Sequence, residues 1–257
     1  MTLQALIFDV DGTLADTERD GHLVAFNAAF AEAGLDWHWD EALYGELLQV
    51  TGGVERMLHF ARHHLRSTAP DAELQALARR LHAGKTRHYV QRVAAGAVQL
   101  RPGVARLIGE ARAAGLRLAI ATTTTRENVT ALLLATLGAD SPGWFEVIGS
   151  AQEAEPKKPH PAVYLWVLEQ LRLQAGDSLA LEDSRNGLLA ATRAGLRCVV
   201  TPTPYSAGED FSEALVRLVD LDHHPAPMDR AVTLDDLCRW HAEAPAGSAL
   251  DPLGAPR

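Results

Sequence analysis

Leu6-Ile7-Phe8 runs straight into Asp9-Val10-Asp11-Gly12-Thr13, so an apolar stretch with the texture of a buried strand ends on two carboxylates. Burying an unpaired charge is costly, and a chain built this way needs a partner for the two acids. With one residue between them, the Asp9 and Asp11 side chains leave an extended backbone on the same side, and Gly12 lets the chain turn sharply. A hard divalent cation suits such oxygens, and Mg2+ suits a site shared with waters. Beside a metal, two carboxylates can divide labour, one as nucleophile and the other as general acid and base. An ordinary strand-end turn also uses Asp and Gly. What the rest of the chain brings to the same place decides between the two.

Two organisations are nested along the chain. Residues 3–9 read as a strand, but from Thr17 to about Val93 the pattern is helical, with segments 22–34 and 71–93 rich in Ala, Leu, Arg and Glu. After Gly96 strands and helices alternate: strands over 116–122, 145–148, 179–181 and 197–201, helices near 104–114, 127–137, 162–171 and 187–194. Such alternation predicts an α/β fold with a doubly wound parallel sheet. The first crossover then contains an α-helical insertion. The expected division is a core of residues 1–15 and 96–222 and an inserted helical domain of residues 16–95. A tail of residues 223–257, with one short helix near 234–241, is expected to be peripheral.

In an open α/β sheet the ligand site lies at the carboxyl ends of the strands. Asp9 and Asp11 end the first predicted strand, Thr122 the second, and Glu182-Asp183 the one at 179–181. Lys158 lies in the polar loop after the strand at 145–148. Each has an ordinary alternative: Thr122 as a helix cap, Lys158 as a solvated loop lysine, Glu182-Asp183-Ser184 as an acidic helix start. Four such signals on one sheet edge favour a site.

Composition narrows the function. The 257 residues are 47% apolar and carry a formal charge of −9. That charge argues against nucleic-acid binding, although a metal and a few cations still allow phosphate to bind. Cys198 and Cys238 form no disulfide framework. No apolar stretch is long enough to span a bilayer, and the first strand leaves no room for a signal peptide. A cytoplasmic, monomeric enzyme without nucleic-acid or membrane partners is expected.

With these residues in this order, the chain resembles the haloacid dehalogenase superfamily, phosphatases with a Rossmann-like core and a helical cap inserted after the first strand. Asp9-Val-Asp-Gly-Thr-Leu14 matches the first motif, Thr122 the second, Lys158 the third and Glu182-Asp183 the fourth. The resemblance implies that Asp9 attacks phosphorus to form an aspartyl phosphate, and that Asp11 protonates the leaving alcohol and then takes a proton from water. It implies Mg2+ held by the Asp9 carboxylate, the Asp11 backbone carbonyl and Asp183, with Glu182 helping or standing just behind these ligands. Thr122 and Lys158 would hold the phosphoryl oxygens, with Thr123, Thr124 and Arg126 beside them. A proton donor near neutral pH implies surroundings that favour protonated Asp11 when substrate binds.

The segments Gly34-Leu-Asp-Trp-His-Trp-Asp40, Tyr44-Gly-Glu-Leu-Leu48 and Thr51-Gly-Gly-Val-Glu-Arg56 are similar to a narrower group, the CbbY proteins associated with the Calvin cycle. That group implies a small sugar phosphate as substrate, namely xylulose 1,5-bisphosphate, an inhibitor of Rubisco, converted to xylulose 5-phosphate. By the same resemblance Glu18, Tyr44, Gly52, Gly53 and Arg56 contact the sugar and its distal phosphate. Val54 departs from the group, where a lysine is expected. Trp37, Trp39 and Tyr44 read equally well as packing, and Gly52-Gly53 as a turn. A β-phosphoglucomutase-type isomerase, or a phosphatase for another small sugar phosphate, shares all four motifs.

Other motifs fail. Gly84-Lys85-Thr86 lacks the first glycine of a phosphate-binding loop, Arg79 standing there. His59 and His63 lack the glutamate of a metalloprotease helix and read as exposed residues. No Gly-x-Ser-x-Gly elbow is present.

Overall fold

The computed structural model describes residues 3–227 and 229–243. The chain leaves the sheet after β1 (Ala5–Phe8) and returns at β2 (Arg117–Ala121). A π-helical turn over Glu18–Leu23 leads into α1 (Val24–Glu32), followed by α2 (Glu41–Leu47) and α3 (Gly53–His59), and then by α4 (Asp71–Ala94) and α5 (Val104–Ala113). Asp40 caps α2 by accepting from the Leu43 N–H at 2.8 Å, and Gly52 opens α3 with φ +100°, a backbone that favours glycine.

The helical insertion has a core of its own. Phe26, Phe30, Trp39, Tyr44, Met57 and Phe60 are buried together. The Asn27 amide pins the Trp39 backbone in both directions, at 2.8 and 2.9 Å. Trp39 meets Phe30 edge to face at 4.9 Å between centroids, and Trp37 meets Phe60 in the same way at 5.5 Å. These aromatics are packing residues.

Beyond β2 the chain alternates through α6 (Arg126–Leu137), β3 (Val147–Gly149), α7 (Ala162–Leu171), β4 (Ser178–Glu182), α8 (Arg185–Arg193), β5 (Arg197–Val200) and β6 (Val216–Arg217). All neighbours pair in parallel, in the order β3-β2-β1-β4-β5-β6. This is the doubly wound α/β arrangement, with its switch point between β1 and β4. Alternate residues feed the two faces: Leu6, Phe8, Ile120 and Leu181 on one, Ala5, Ile7, Ala119 and Ala180 on the other. Burial on both faces explains why the strands read as continuous apolar runs.

Three elements differ from the sequence reading. β3 begins at Val147, because Ser141–Trp144 forms a 3-10 turn and Phe145 only anchors the approach. β6, two residues long, has no sequence signal. The tail is not peripheral: Val232, Leu237 and Trp240, the last two on α9 (Leu234–Glu243), join the main core. Residues 244–257 of that tail lie outside the described residues. No helix among the described residues is long and apolar enough to cross a membrane.

Candidate active site

Asp9 leaves the sheet at the end of β1, 6% exposed, its N–H donating to the Leu181 carbonyl of β4 at 3.0 Å. This register sets it beside Glu182 and Asp183. Oxygens of all three carboxylates lie within 4.8 Å of one another. Lys158 reaches in from the loop before α7, its Nζ donating to Asp9 Oδ1 at 2.6 Å, Glu182 Oε1 at 2.6 Å and the Ala121 carbonyl at 2.8 Å. Tyr164 on α7 donates to Glu182 Oε1 at 2.5 Å, while Glu182 Oε2 is buried without a partner.

The electrostatics are dominated by buried, crowded carboxylates. Burial, opposed by Lys158 and helped by Glu182, pushes Asp9 up to about 8. Burial, then Asp9 and Glu182, hold Asp183 well above the usual carboxylate range. Burial works against the Lys158 ammonium, but Asp9 and Glu182 outweigh it and hold the proton on. Three acids face one ammonium, with one oxygen orphaned. That donor set fits a hard divalent cation held by Asp9, Glu182 and Asp183.

Asp11 takes a different partner. Its Oδ1 lies 2.9 Å from His22 Nε2, and His22 Nδ1 lies 2.8 Å from Lys85 Nζ. Because the Lys85 ammonium can only donate, Nδ1 accepts. The contact of Nε2 with Asp11 Oδ1 is close but lies outside hydrogen-bond geometry, and that oxygen has no hydrogen-bond partner among the described residues. Burial raises Asp11, but His22 and then Lys85 overcome it and hold the carboxyl well below its ordinary range. The expectation of a protonated Asp11 concerns the substrate-bound site; without substrate the balance runs the other way. The His22 ring stacks on Tyr89 at 4.2 Å, and the Lys85 ammonium lies 5.0 Å from the Phe26 centroid. Burial depresses Lys85 to about 8.

The cleft above these groups encloses about 950 Å³ open to solvent. Thr122, Thr123 and Thr124 line it after β2. Thr122 does not cap α6; Thr125 does, accepting from Asn128 N–H at 3.3 Å. Glu18, Gly52, Gly53, Arg56 and His82 line the insertion side. Gly52 needs glycine for its φ of +100°, and a Cβ on Gly53 would fall 2.6 Å from His82 Cδ2, so the His82 ring would have to shift. The Arg56 guanidinium donates to the Leu47 and Val50 carbonyls at 3.2 and 3.4 Å and to the Tyr44 hydroxyl at 3.0 Å.

Two sequence candidates lie outside the lining. Tyr44 is fully buried behind it, donating to Glu18 while accepting from Arg56. Arg126 turns away, held by the Ile148 carbonyl at 2.7 Å and Glu153 at 2.8 Å. Val54 packs against the insertion core. The sequence reading missed His22, His82 and Lys85. His22 and Lys85 lie 63 residues apart, and only the packing of α4 against the turn before α1 brings them together.

The sequence model of haloacid dehalogenase-like hydrolases matches residues 3–195. The chain is 55% identical to a plasmid-borne CbbY protein of Cupriavidus necator over 93% of this chain and 97% of that one. It is 52% identical to CbbY of Rhodobacter capsulatus over 86% and 95%. A crystal structure of a CbbY variant from Rhodobacter sphaeroides, in complex with xylulose-(1,5)bisphosphate, superposes with TM-score 0.78 at 44% identity, covering 85% of this chain and 94% of that one.

Proposed function

The chain belongs to the haloacid dehalogenase-like hydrolases as a CbbY-type phosphatase, and from that premise we propose that it removes one phosphate from xylulose 1,5-bisphosphate, giving xylulose 5-phosphate, through an aspartyl phosphate on Asp9. The observation that carries the chemistry is the buried Asp9–Lys158–Glu182–Asp183 cluster with its orphaned oxygen. The substrate rests on the Rhodobacter sphaeroides relative, whose structure contains that bisphosphate. Residues 1–15 and 96–222, joined by the tail as far as α9, act as the core and residues 16–95 as the cap, in a cytoplasmic monomer.

The Asp9 carboxylate attacks phosphorus, the sugar oxygen leaves, and Asp11 gives that oxygen a proton. Asp11 then takes a proton from the water that hydrolyses the aspartyl phosphate. Lys158 and Thr122 hold equatorial phosphoryl oxygens, which lets a carboxylate approach a dianion. Mg2+, bound by Asp9, Asp183 and the Asp11 carbonyl with Glu182 beside them, would neutralise charge on the transferred group. Glu18, Gly52, Gly53 and Arg56 receive the sugar and its far phosphate, and Tyr44 orients Glu18 and Arg56 from behind. Glycine N–H groups can approach an anion closely, and Arg56 offers a planar fork.

The test compares xylulose 1,5-bisphosphate with p-nitrophenyl phosphate. Arg56→Ala should lower kcat/KM for the bisphosphate by roughly ten- to a hundredfold, as for loss of an Arg–phosphate pair, and leave the monophosphate nearly unchanged. Equal losses on both would make Arg56 a support of the cap and would leave the bisphosphate reading without its anchor. Glucose 6-phosphate formed from β-glucose 1-phosphate, with a trace of the 1,6-bisphosphate, would favour the mutase instead.

A further inference from the structure

Arg101 lies where the chain returns from the insertion, and its side chain does not reach the cleft. It is 8% exposed, yet both terminal nitrogens of its guanidinium donate to acceptors. Nη1 donates to the Gly12 carbonyl at 2.6 Å, to the Thr201 carbonyl and to Thr201 Oγ1 at 3.0 Å. Nη2 donates to the Pro202 and Val219 carbonyls at 3.1 and 3.4 Å. The nearest ion-pair contact, Asp16 at 3.6 Å, has a side chain 65% exposed. A buried cation held mostly by neutral carbonyls keeps its charge unspent on a close ion pair.

The acceptors belong to the segments that carry the site. Gly12 follows Asp11, and a Cβ there would fall 2.2 Å from Asp183 Oδ2, so this turn and the Asp183 carboxylate are in contact. Thr201 N–H donates to the Glu182 carbonyl at 2.8 Å, and Ser206, a few residues on, donates to the Asp183 carbonyl at 2.7 Å. The Arg101 N–H donates to the Leu14 carbonyl at 2.9 Å, joining the two segments that connect insertion and core.

We propose that Arg101 is a positioning residue for phosphoryl transfer: its guanidinium locks the turn after Asp11 against the loop after β5 and so fixes Asp183 relative to Asp9 and Asp11. No neutral side chain offers five donors in one plane together with a positive charge. The metal arm of the proposal rests on the divalent-cation reading of that cluster.

The experiment uses Arg101→Ala and Arg101→Lys, with Mg2+ binding measured by calorimetry on the substrate-free protein and turnover measured on p-nitrophenyl phosphate. Arg101→Ala should weaken Mg2+ and lower kcat by about ten- to a hundredfold, as for groups that orient metal ligands, with KM nearly unchanged because Arg101 lines no part of the cleft. Guanidinium chloride at tens of millimolar should restore much of kcat, whereas urea, which has the shape without the charge, should not. Equal rescue by urea, or no rescue with wild-type Mg2+ affinity, overturns the proposal. Should Arg101→Ala fail to fold, Arg101→Lys carries the test: wild-type kcat and Mg2+ affinity there would show that the planar fork is dispensable. If the wild-type protein itself binds no divalent cation, the cluster reading fails, and guanidinium rescue of kcat alone decides the role of Arg101.

Discussion

Lys85 is a buried lysine whose charge the fold disfavours, and its partners explain why it is there. Burial lowers it from 10.5 to about 8, although Asp11 and Glu18 pull the other way. Below pH 8 the ammonium is charged in both folded and unfolded chains, so a cost on the order of 3 kcal/mol is fully present. Between about pH 8 and 10.5 the unfolded chain holds more protons than the folded one, so stability contributed by this group rises with pH. Lys85→Met should therefore raise the urea midpoint at pH 7.5, and its advantage over wild type should shrink toward pH 10. The same variant should lose about tenfold or more in kcat, since a positioned proton shuttle contributes 10² or more and His22 would no longer be held at Nδ1. A variant less stable than wild type at pH 7.5 would mean that attraction to Asp11 outweighs burial. Asp9→Asn has a simpler expectation: no turnover, no phosphoenzyme, and far-UV circular dichroism unchanged. Measurable turnover in that variant would remove Asp9 as nucleophile.

At the scale of elements, the ends of strands were legible and the contacts between distant elements were not. Asp9, Thr122 and Glu182-Asp183 end apolar runs and Lys158 lies in the polar loop after another, and local pattern alone puts them on one edge of the sheet. The insertion was legible as a helical stretch, and its glycines as a close turn. His22, Lys85 and the burial of α9 depend on tertiary packing, which leaves no periodic trace in a single sequence. Arg126 misled for a related reason: it follows the threonine loop in sequence, but as the first residue of α6 it points toward Glu153. Helix α8 shows how tightly an element can bear on the site. Ser184 caps it through the Gly187 N–H at 3.2 Å, and a Cβ on Gly187 would fall 1.9 Å from Glu182 Oε2. Gly187→Ala must therefore displace either the helix or the carboxylate, at about 1–3 kcal/mol if overpacking is the only cost. If Glu182 helps to hold the cation, the folded variant should also bind Mg2+ about ten- to a hundredfold more weakly by calorimetry. Wild-type affinity would show that Glu182 serves only Lys158 and Tyr164. In the unmodified enzyme, EDTA should abolish activity and added Mg2+ should restore it, and full activity in EDTA would contradict the cation assignment.

For the whole molecule, the insertion joins the core through a bridge between the two connecting segments, through the packing of α4 against α6 with Tyr89 and Val93 in the main core, and through a few polar contacts across the cleft. Ala15 pairs with Leu100 at the crossing, and the Asp16 N–H donates to the Gln99 carbonyl at 3.2 Å. Across the mouth, Lys157 donates to both Glu55 oxygens at 2.7 Å, Asn186 to Thr51 Oγ1 at 3.1 Å, and Gln49 to Glu209 at 3.1 Å. These contacts are weak enough to break and reform, which suits a cleft that must admit substrate and then exclude bulk water. The Glu55 side chain is 45% exposed, so its pair with Lys157 is worth only about 0.2–1 kcal/mol after solvent screening. Removing either residue also alters the charge that an anionic substrate meets, so single variants do not isolate closure. A double-mutant cycle of Glu55→Ala, Lys157→Ala and the pair, read in kcat/KM on p-nitrophenyl phosphate, does isolate it. The expected coupling is on the order of 0.5 kcal/mol, about a twofold departure from additivity, and it should fade as ionic strength rises toward about 1 M. Additive losses at low salt would mean that the pair is broken in the step that limits turnover. Closure would then rest on Asn186 and Gln49 alone among these contacts.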